Sequence, residues 1–249
     1  MATLNVSGLA LESEGNSLRM GGKPIPYTSR KLAEMREVLL DGSAADGKES
    51  VETYFMFRSV IAPNKADFFK EHATRFDITI IPSMLLGAEC NKTVGHYHKE
   101  AEKGLSFPEV YAVIEGKATF VLQRRVGDSF DVRIIEGNAG DVVLIAPNYG
   151  HITVNSGKDR LVLANLVSDA FESDYKGIAE MHGGAVYILA DGTQVVNRHY
   201  RNFSITHLES PPKTPELEGL KSQDIYDEFI NNPERFTFLN RPTNYIRKE

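Results

Sequence analysis

A single cysteine, Cys90, occurs in the 249 residues, so the chain can form no internal disulfide, which favours a reducing compartment. No stretch approaches the ~18 consecutive apolar residues of a membrane-spanning helix. Lys and Arg number 28 against 34 Asp and Glu, and the resulting net charge of −6 argues against nucleic acid and anionic membranes as partners. The first residues lack a basic stretch followed by an apolar run, so we expect no secretory signal and a cytoplasmic protein.

Short apolar runs, by contrast, are abundant. They are rich in β-branched residues, are separated by Gly, Asn and Asp, and include two runs that flank Asp191-Gly192, a strong hairpin signal. No phosphate-binding glycine loop and no alternating long helices accompany them, so the pattern predicts an all-β sandwich or barrel rather than a parallel α/β sheet. The predicted strands are 51–61, 76–81, 92–98, 109–115, 117–124, 130–136, 141–147, 151–155, 160–168, 185–190 and 193–196.

The two ends of the chain differ from this strand-rich middle. Residues 1–27 contain several glycines and prolines and predict an irregular arm, and a helix over 30–40 is expected to begin behind Ser29. The polar, proline-containing tail predicts one short helix over 223–231, capped by Ser222. We therefore expect an N-terminal arm and helix, a β-barrel and a C-terminal extension, covering 1–50, 51–196 and 197–249.

Three of the seven histidines stand in a pattern that suits metal binding. His96 and His98 lie two residues apart in a predicted strand, so their side chains would project from the same face. His151 begins another predicted strand. Three imidazoles and one carboxylate suit one divalent transition metal, such as Fe, Mn, Zn, Ni or Co, and leave positions open for substrate or water.

Two glutamates could supply the carboxylate. Glu109 opens a predicted strand, so a rigid backbone could direct its side chain inward. Glu102 lies in a charged stretch that predicts a solvated loop. We expect Glu109 to be the fourth ligand, and Glu102 is the alternative.

These residues resemble the two sequence motifs of the cupin superfamily. The first motif corresponds to Gly87, His96-Tyr-His98, Glu109 and Gly116, and the second to Gly140, Pro147, His151 and Asn155. The resemblance implies an all-β cupin barrel, a double-stranded β-helix or jelly roll, with the N-terminal arm and helices at its periphery. The spacer after His98 is longer than the motif usually has, which is why Glu102 stays open as a ligand.

A closer resemblance, over about residues 29–190, is to the cupin-type glucose-6-phosphate isomerase family. It rests on Thr93-Val-Gly95-His-Tyr-His98, Pro108-Glu-Val-Tyr111 and Asp174-Tyr-Lys-Gly-Ile-Ala-Glu180. The resemblance implies a metal-dependent enzyme, with iron the foremost metal, that interconverts glucose 6-phosphate and fructose 6-phosphate. The metal ligands would then be His96, His98, Glu109 and His151, the catalytic residues Glu109 and Tyr111, and the substrate-binding residues Thr79, Thr93, Gly95 and Tyr175.

The sequence departs from this family in the substrate pocket. A family tyrosine falls on Val167, and the residues that precede His151 also differ. Other functions therefore stay open: an Fe dioxygenase, another sugar-phosphate isomerase, or a cupin that binds metal or sugar without catalysis. The expected assembly is a homodimer, because barrels with open sheet edges often pair through them.

The proposed pocket also requires a local irregularity. In a regular strand, residue 93 faces away from residues 96 and 98. Thr93 can share a pocket with the two histidines only if a bulge or twist shifts the alternation between them. We expect this irregularity around Val94-Gly95, where glycine tolerates it.

Overall fold

The computed structural model describes residues 2–245. Strands dominate this part of the chain, and helices are short. The strands are β1 (Ala2–Val6), β2 (Leu9–Glu14), β3 (Ser17–Met20), β4 (Lys23–Pro24), β5 (Thr28–Lys31), β6 (Glu52–Phe57), β7 (Thr74–Ile81), β8 (Leu85–Leu86), β9 (Glu89–Cys90), β10 (Glu100–Glu102), β11 (Leu105–Ser106), β12 (Glu109–Glu115), β13 (Lys117–Val126), β14 (Ser129–Asn138), β15 (Val142–Ile145), β16 (Gly150–Asn155), β17 (Leu161–Ser168), β18 (Val186–Ile188), β19 (Gln194–Val196) and β20 (Phe203–Leu208).

The helices lie between and after these strands. The α-helices are α1 (Leu32–Met35), α2 (Ala66–Glu71), α3 (Lys176–Glu180) and α4 (Ile225–Asn231). Single turns and short stretches of 3₁₀-helix occur at Arg36–Val38, Gly42–Ala45, Pro63–Lys65, Pro215–Leu217, Ser222–Asp224, Pro233–Leu239 and Pro242–Asn244. No helix within residues 2–245 is long and apolar enough to cross a membrane.

Two sheets form the body of the fold. The larger has the strand order β15-β12-β17-β7-β6-β5, and the smaller has the order β16-β13-β14-β20. All neighbours pair antiparallel except β14 and β20. Apolar side chains from both sheets, including Val113 and Leu163 from the larger and Phe120 and Ile152 from the smaller, pack in one buried core. The predicted all-β cupin fold is confirmed.

The predicted strands agree well with the observed ones in this body. Residues 109–115 coincide with β12, and the run 160–168 corresponds to β17. The hairpin predicted at Asp191-Gly192 joins β18 to β19, and Gly192 has the positive φ of +84° that such a turn needs. The run 92–98 is the exception, because it forms only isolated bridges rather than a strand.

The prediction of an irregular N-terminal arm was wrong. Within the described part of this segment, from residue 2, β1 to β4 build an antiparallel four-stranded sheet. Leu4, Val6, Leu9 and Leu11 alternate with exposed residues and are buried. They join a second apolar cluster, which covers the outer face of the larger sheet. The glycines that suggested irregularity lie mostly in the turns between these strands.

The helix predicted over 30–40 is present but shorter. Leu32–Met35 is α-helical and continues as 3₁₀-helix over Arg36–Val38, whereas Thr28–Lys31 is an edge strand that pairs with β6. Ser29 does not cap a helix, since its hydroxyl donates to Glu52 Oε1 at 2.5 Å. The pairing with β6 therefore delays the start of the helix to residue 32.

The C-terminal extension is also more structured than its sequence indicated. The strand β20 runs parallel to β14 and extends the smaller sheet. The predicted helix exists, but Ser222 lies in a 3₁₀ turn and Asp224 precedes the α-helix. The three-part division of the chain stays a prediction, and its last residues, 246–249, lie outside the described residues.

Candidate metal centre

Four side chains from three parts of the fold meet between the two sheets. Glu109 is the first residue of β12 in the larger sheet, and His151 is the second residue of β16 in the smaller one. His96 and His98 come from the segment that links β9 to β10. One ligand atom from each of the four side chains lies within 4.8 Å of the others. Glu102 lies elsewhere, where its Oε1 accepts hydrogen bonds from Thr243.

The segment that carries the two histidines contains the irregularity expected from the sequence. Lys92 bridges to Val154 and His96 bridges to His151, so four residue steps on one side oppose three on the other. The extra residue is a bulge, and Gly95 within it has a φ of +82°. A Cβ on Gly95 would lie 2.4 Å from Ile152 Cγ1, so only glycine fits.

Tyr97, between the two histidines, anchors this segment from the other side. Its hydroxyl accepts a hydrogen bond from Gln123 Nε2 at 3.0 Å. Its ring packs against Gly150, where a Cβ would lie 2.5 Å from the ring. Because Gly150 directly precedes His151, this contact fixes the His96–His98 segment against the strand that carries the third histidine.

Hydrogen bonds orient the ligand atoms. His98 Nδ1 donates to the carbonyl oxygen of Phe107 at 2.7 Å, so the electron pair of this ring lies on Nε2. Asn165 Nδ2 donates to Glu109 Oε1 at 2.7 Å. The other carboxylate oxygen, Oε2, lies 3.3 Å from His98 Nε2 and 3.4 Å from His151 Nε2. Two oriented acceptors therefore face a common point.

The donor set fits a bound cation. Glu109 Oε2 is buried and forms no hydrogen bond. The Nε2 atoms of His96 and His98 lie 3.1 Å apart, and they can share at most one proton. Buried acceptors that converge without a donor are costly unless a cation lies among them. Three imidazoles and one carboxylate match the preferences of divalent transition metals.

The pKa values of these groups favour the protonation state that metal binding needs. Burial, reinforced by the neighbouring histidines, holds the pKa of His96 well below its usual range. Burial also lowers the pKa of His151, to about 4, although Glu109 opposes the shift. Burial, the largest influence, would raise the pKa of Glu109, but the neighbouring His98 and His151 rings outweigh it and lower the value. At neutral pH His96 and His151 are thus neutral and Glu109 is ionised, as metal ligands must be.

Tyr111 lies beside the cluster and stays protonated. Its hydroxyl is 3.4 Å from His151 Nε2. Burial, followed by the charge of Glu109, raises the pKa of Tyr111 well above its ordinary value. The phenol is therefore a proton donor at neutral pH rather than a base.

A recess opens above the four side chains. All the residues that the resemblance implied for substrate binding line it, namely Thr79, Thr93, Gly95 and Tyr175. Thr93 Oγ1 also accepts a hydrogen bond from the backbone N–H of Thr153 at 3.0 Å, within the bulged segment. The structure therefore brings the candidate ligands, Tyr111 and these residues together in one pocket.

Sequence reasoning missed several residues of this pocket. They are Tyr54, Met56, Arg58, Arg75 and Ser173, which line the recess together with Val167. A partial signal for Arg75 was present, because it lies four residues before Thr79 and shares a face with it in an extended strand, although the predicted strand began at residue 76. Arg58 carried no comparable signal, because it lies beyond the end of β6.

Several known proteins are similar to this chain. The family model described as "Glucose-6-phosphate isomerase (GPI)" matches residues 29–204. The glucose-6-phosphate isomerase of Thermococcus litoralis is 30% identical over 190 residues, which cover 76% of this chain and 92% of that protein. That of Pyrococcus abyssi is 28% identical over 66% of this chain and 81% of its own length. A cupin 2 conserved barrel domain protein from Rhodopseudomonas palustris has a TM-score of 0.32 and 15% identity, covering 48% of this chain and 63% of that one.

Replacing one ligand should remove the metal. His98→Ala is expected to abolish stoichiometric metal in elemental analysis, because it removes one of the four ligands and the remaining three bind the metal more weakly. Circular dichroism should show that the fold is kept, since the variant loses the ring's bond to the Phe107 carbonyl but keeps the backbone–backbone hydrogen bonds of the segment. Glu102→Gln is the control and should keep its full metal content. Full metal retention by His98→Ala would contradict the assignment.

Proposed function

This chain belongs to the glucose-6-phosphate isomerase family, and we propose that it is a metal-dependent isomerase that interconverts glucose 6-phosphate and fructose 6-phosphate. The observation that carries the proposal is the convergence of His96, His98, Glu109 and His151 beneath a recess lined by hydroxyl groups. These four residues would hold one divalent metal. We infer iron as that metal, with Mn, Zn, Ni and Co as the alternatives that the same donors accept.

The substrate would bind across the recess. Thr79, Thr93 and Tyr175 supply hydroxyl groups, and Gly95 lets the backbone approach the ligand closely. The Tyr175 ring lies 5.5 Å from the His96 ring, centre to centre, so a sugar that contacts the tyrosine also lies beside the cluster. These assignments support a hydroxyl-rich ligand such as a sugar phosphate.

The reaction moves one hydrogen between C1 and C2 while the carbonyl and hydroxyl at these carbons exchange places. The metal, when bound, would polarise the two oxygens and lower the pKa of the adjacent C–H. Glu109 would carry the proton between the carbons. This role requires a carboxylate oxygen away from the metal, and Oε1, held by Asn165, is that oxygen when Oε2 faces the histidines. Tyr111 would donate its proton to the sugar oxygen that gains one and take up the proton that the other oxygen releases, so the phenol ends protonated.

A direct hydride shift is the alternative route. In that route the hydrogen passes between C1 and C2 without reaching Glu109. Only the proton route exchanges this hydrogen with solvent, so incorporation of deuterium from D₂O at C1 or C2 distinguishes the two.

Two other functions use the same ligands. An Fe dioxygenase would consume O₂, whereas the hydroxyl and guanidinium groups of this recess suit a polar, phosphorylated ligand better. A non-catalytic cupin would bind fructose 6-phosphate without turning it over. Val167, which supplies no hydroxyl where the family has a tyrosine, is the observation that favours this second possibility.

A coupled assay tests the proposed activity. The metal-loaded chain should convert fructose 6-phosphate to glucose 6-phosphate under strict anaerobiosis, because the reaction needs no oxidant. Chelation should abolish the activity and added metal should restore it. A panel of other sugar phosphates, run in parallel, identifies the preferred substrate. Turnover that depends on O₂, or fructose 6-phosphate binding without turnover, would overturn the proposal in favour of one of the two other functions.

Removing a hydroxyl from the recess should weaken substrate binding. Thr93→Val is expected to raise the KM for the sugar phosphate by about 10-fold, the cost of one unmade hydrogen bond to a charged group, with unchanged metal content. Thr93→Ser is the matched control, because it keeps both the hydroxyl and its bond from Thr153 N. If Thr93→Val kept the wild-type KM, Thr93 would have no role in substrate binding.

We also propose that the protein is a cytoplasmic homodimer that serves glycolysis and gluconeogenesis. The edge strand β5 has no partner on its outer side within residues 2–245, and Tyr27 beside it is exposed. Such an edge favours pairing with a second chain. Light scattering should give twice the chain mass of 27.7 kDa at micromolar concentration. A monomer mass would contradict the dimer.

A further inference from the structure

A buried glutamine that the proposed mechanism does not use lies behind the metal ligands. Gln123, on β13, has 0% of its surface exposed, and it pairs across the sheet with Gly150, the residue before His151. A side-chain amide that is removed from water needs partners for its two N–H donors and for its carbonyl oxygen. Three hydrogen bonds to other parts of the chain supply these partners.

The amide of Gln123 joins the segment of the two histidines to the chain that follows helix α3. Its Nε2 donates to the Tyr97 hydroxyl at 3.0 Å and to the Tyr200 hydroxyl at 2.6 Å. Its Oε1 accepts a hydrogen bond from the backbone N–H of Ala185 at 2.8 Å. Tyr200 in turn donates its hydroxyl proton to the carbonyl oxygen of Gly183 at 2.9 Å. A single side chain therefore connects Tyr97 with two places in the chain beyond α3.

Tyr97 also contacts the segment that carries Tyr175. Its backbone N–H donates to the carbonyl oxygen of Asp174 at 2.8 Å, and the Asp174 N–H donates to the Tyr97 carbonyl oxygen at 2.9 Å. The ring of Tyr97 faces Gly177 in α3, where a Cβ would lie 3.2 Å from Cε2 of the ring. Because Tyr175 lies between Asp174 and Gly177, the position of Tyr97 fixes Tyr175 beside the histidines.

The hydroxyl is the group that holds the Tyr97 ring in place. The ring packs on Gly150 and on Gly177, and a glycine has no side chain that would stop an aromatic ring from sliding over it. The far end of the ring is fixed instead by its hydrogen bond with Gln123. Among residues 2–245, Gln123 is the one residue that forms a hydrogen bond with this hydroxyl.

We propose that Gln123 is a positioning residue of this enzyme, which fixes Tyr97 and thereby holds the two histidines and Tyr175 at one separation. The residues that line the recess include neither Gln123 nor Tyr200, so both act through Tyr97. The chain beyond α3 would then support the site through a single amide. The role in turnover rests on the proposed function, whereas the role in metal binding can be measured without it.

The first experiment measures Co²⁺ binding by the full chain. Replacing Gln123 itself would leave the buried Ala185 N–H without its partner and destabilise the fold, so the test removes the tyrosine hydroxyl instead. Tyr97→Phe keeps the ring on both glycines, and the variant should fold. Its Co²⁺ affinity, measured by competition with a chelator, should fall about 10-fold, as when other groups that support metal ligands are removed. The visible spectrum of the bound Co²⁺ should also change, because His96 and His98 flank residue 97.

Tyr187→Phe is the matched control. The Tyr187 hydroxyl donates to the carbonyl oxygen of His182 at 2.6 Å, in the same part of the chain, and this bond does not involve Gln123. The variant should keep the wild-type Co²⁺ affinity and spectrum. Equal changes in Tyr187→Phe and Tyr97→Phe would indicate a general loosening of this region and would overturn the proposal. So would a folded Tyr97→Phe variant with the wild-type affinity and spectrum.

Tyr200→Phe tests whether the effect passes through Gln123. It removes one of the two hydroxyls that Nε2 binds, so it should weaken Co²⁺ binding in the same direction as Tyr97→Phe and by a smaller factor. In the double variant the two factors should not multiply, because both changes act on one amide. Factors that multiply would show that the two tyrosines act independently, and the proposal would then be wrong.

The second experiment measures turnover of fructose 6-phosphate at saturating metal. Tyr97→Phe should lower kcat and raise the KM, because both the metal ligands and Tyr175 lose their fixed positions, whereas Thr93→Val should raise the KM alone. Wild-type kcat and KM in a folded Tyr97→Phe variant would overturn the proposal. If the wild type shows no isomerase activity, the proposed function fails, and the Co²⁺ measurements still decide the role of Gln123.

Discussion

The structure depends on one electrostatic constraint, the convergence of four buried electron-pair donors on a single point. A carboxylate and three imidazoles repel one another and lose their hydration in this position unless a cation lies among them. Hydrogen bonds from behind hold two of these donors. The carbonyl of Phe107 orients His98, and Asn165 restrains Glu109. The packing of Tyr97 on Gly150 keeps the segment with two histidines against the strand with the third. These supports come from different parts of the chain, so the site depends on the packing of the two sheets and the segments between them.

Most of this site could be predicted from the sequence, because the spacing of its residues along the chain reflects strand geometry. His96 and His98 share a face by the period of two, and Glu109 begins a strand whose predicted bounds match the observed ones. The bulge at Gly95 followed from an incompatibility, since Thr93 and His96 cannot share a face without an extra residue. The outer layers were less predictable. The sheet of β1 to β4 and the pairing of β20 with β14 depend on contacts between segments far apart in the chain, and short-range patterns do not encode such contacts.

The two arginines that line the recess, Arg58 and Arg75, show a second limit of sequence reasoning. Arg75 and Asp77 lie on the inward face of β7. The pattern of one strand cannot show that Arg58, which follows β6, binds the same carboxylate. The bond from Ser59 N to Asp77 explains how this happens. Ser59 has a φ of +52°, so the chain turns directly after Arg58. Asp77 accepts the backbone N–H of Ser59 in this turn and also binds the Arg58 guanidinium. The position of Arg58 in the recess is therefore set by a turn outside the regular strands.

Val167 connects the two halves of the site. It pairs with Glu109 on one side and with Arg75 on the other, so its side chain lies on the inner face between the metal ligands and the arginines. Valine has no hydrogen-bonding group, so it can hold neither neighbour. Asn165 and Asp77, two residues away on β17 and β7, bond to Glu109 and Arg75 instead. The charged side chains on both sides of Val167 are therefore positioned by polar residues next to it rather than by residue 167 itself.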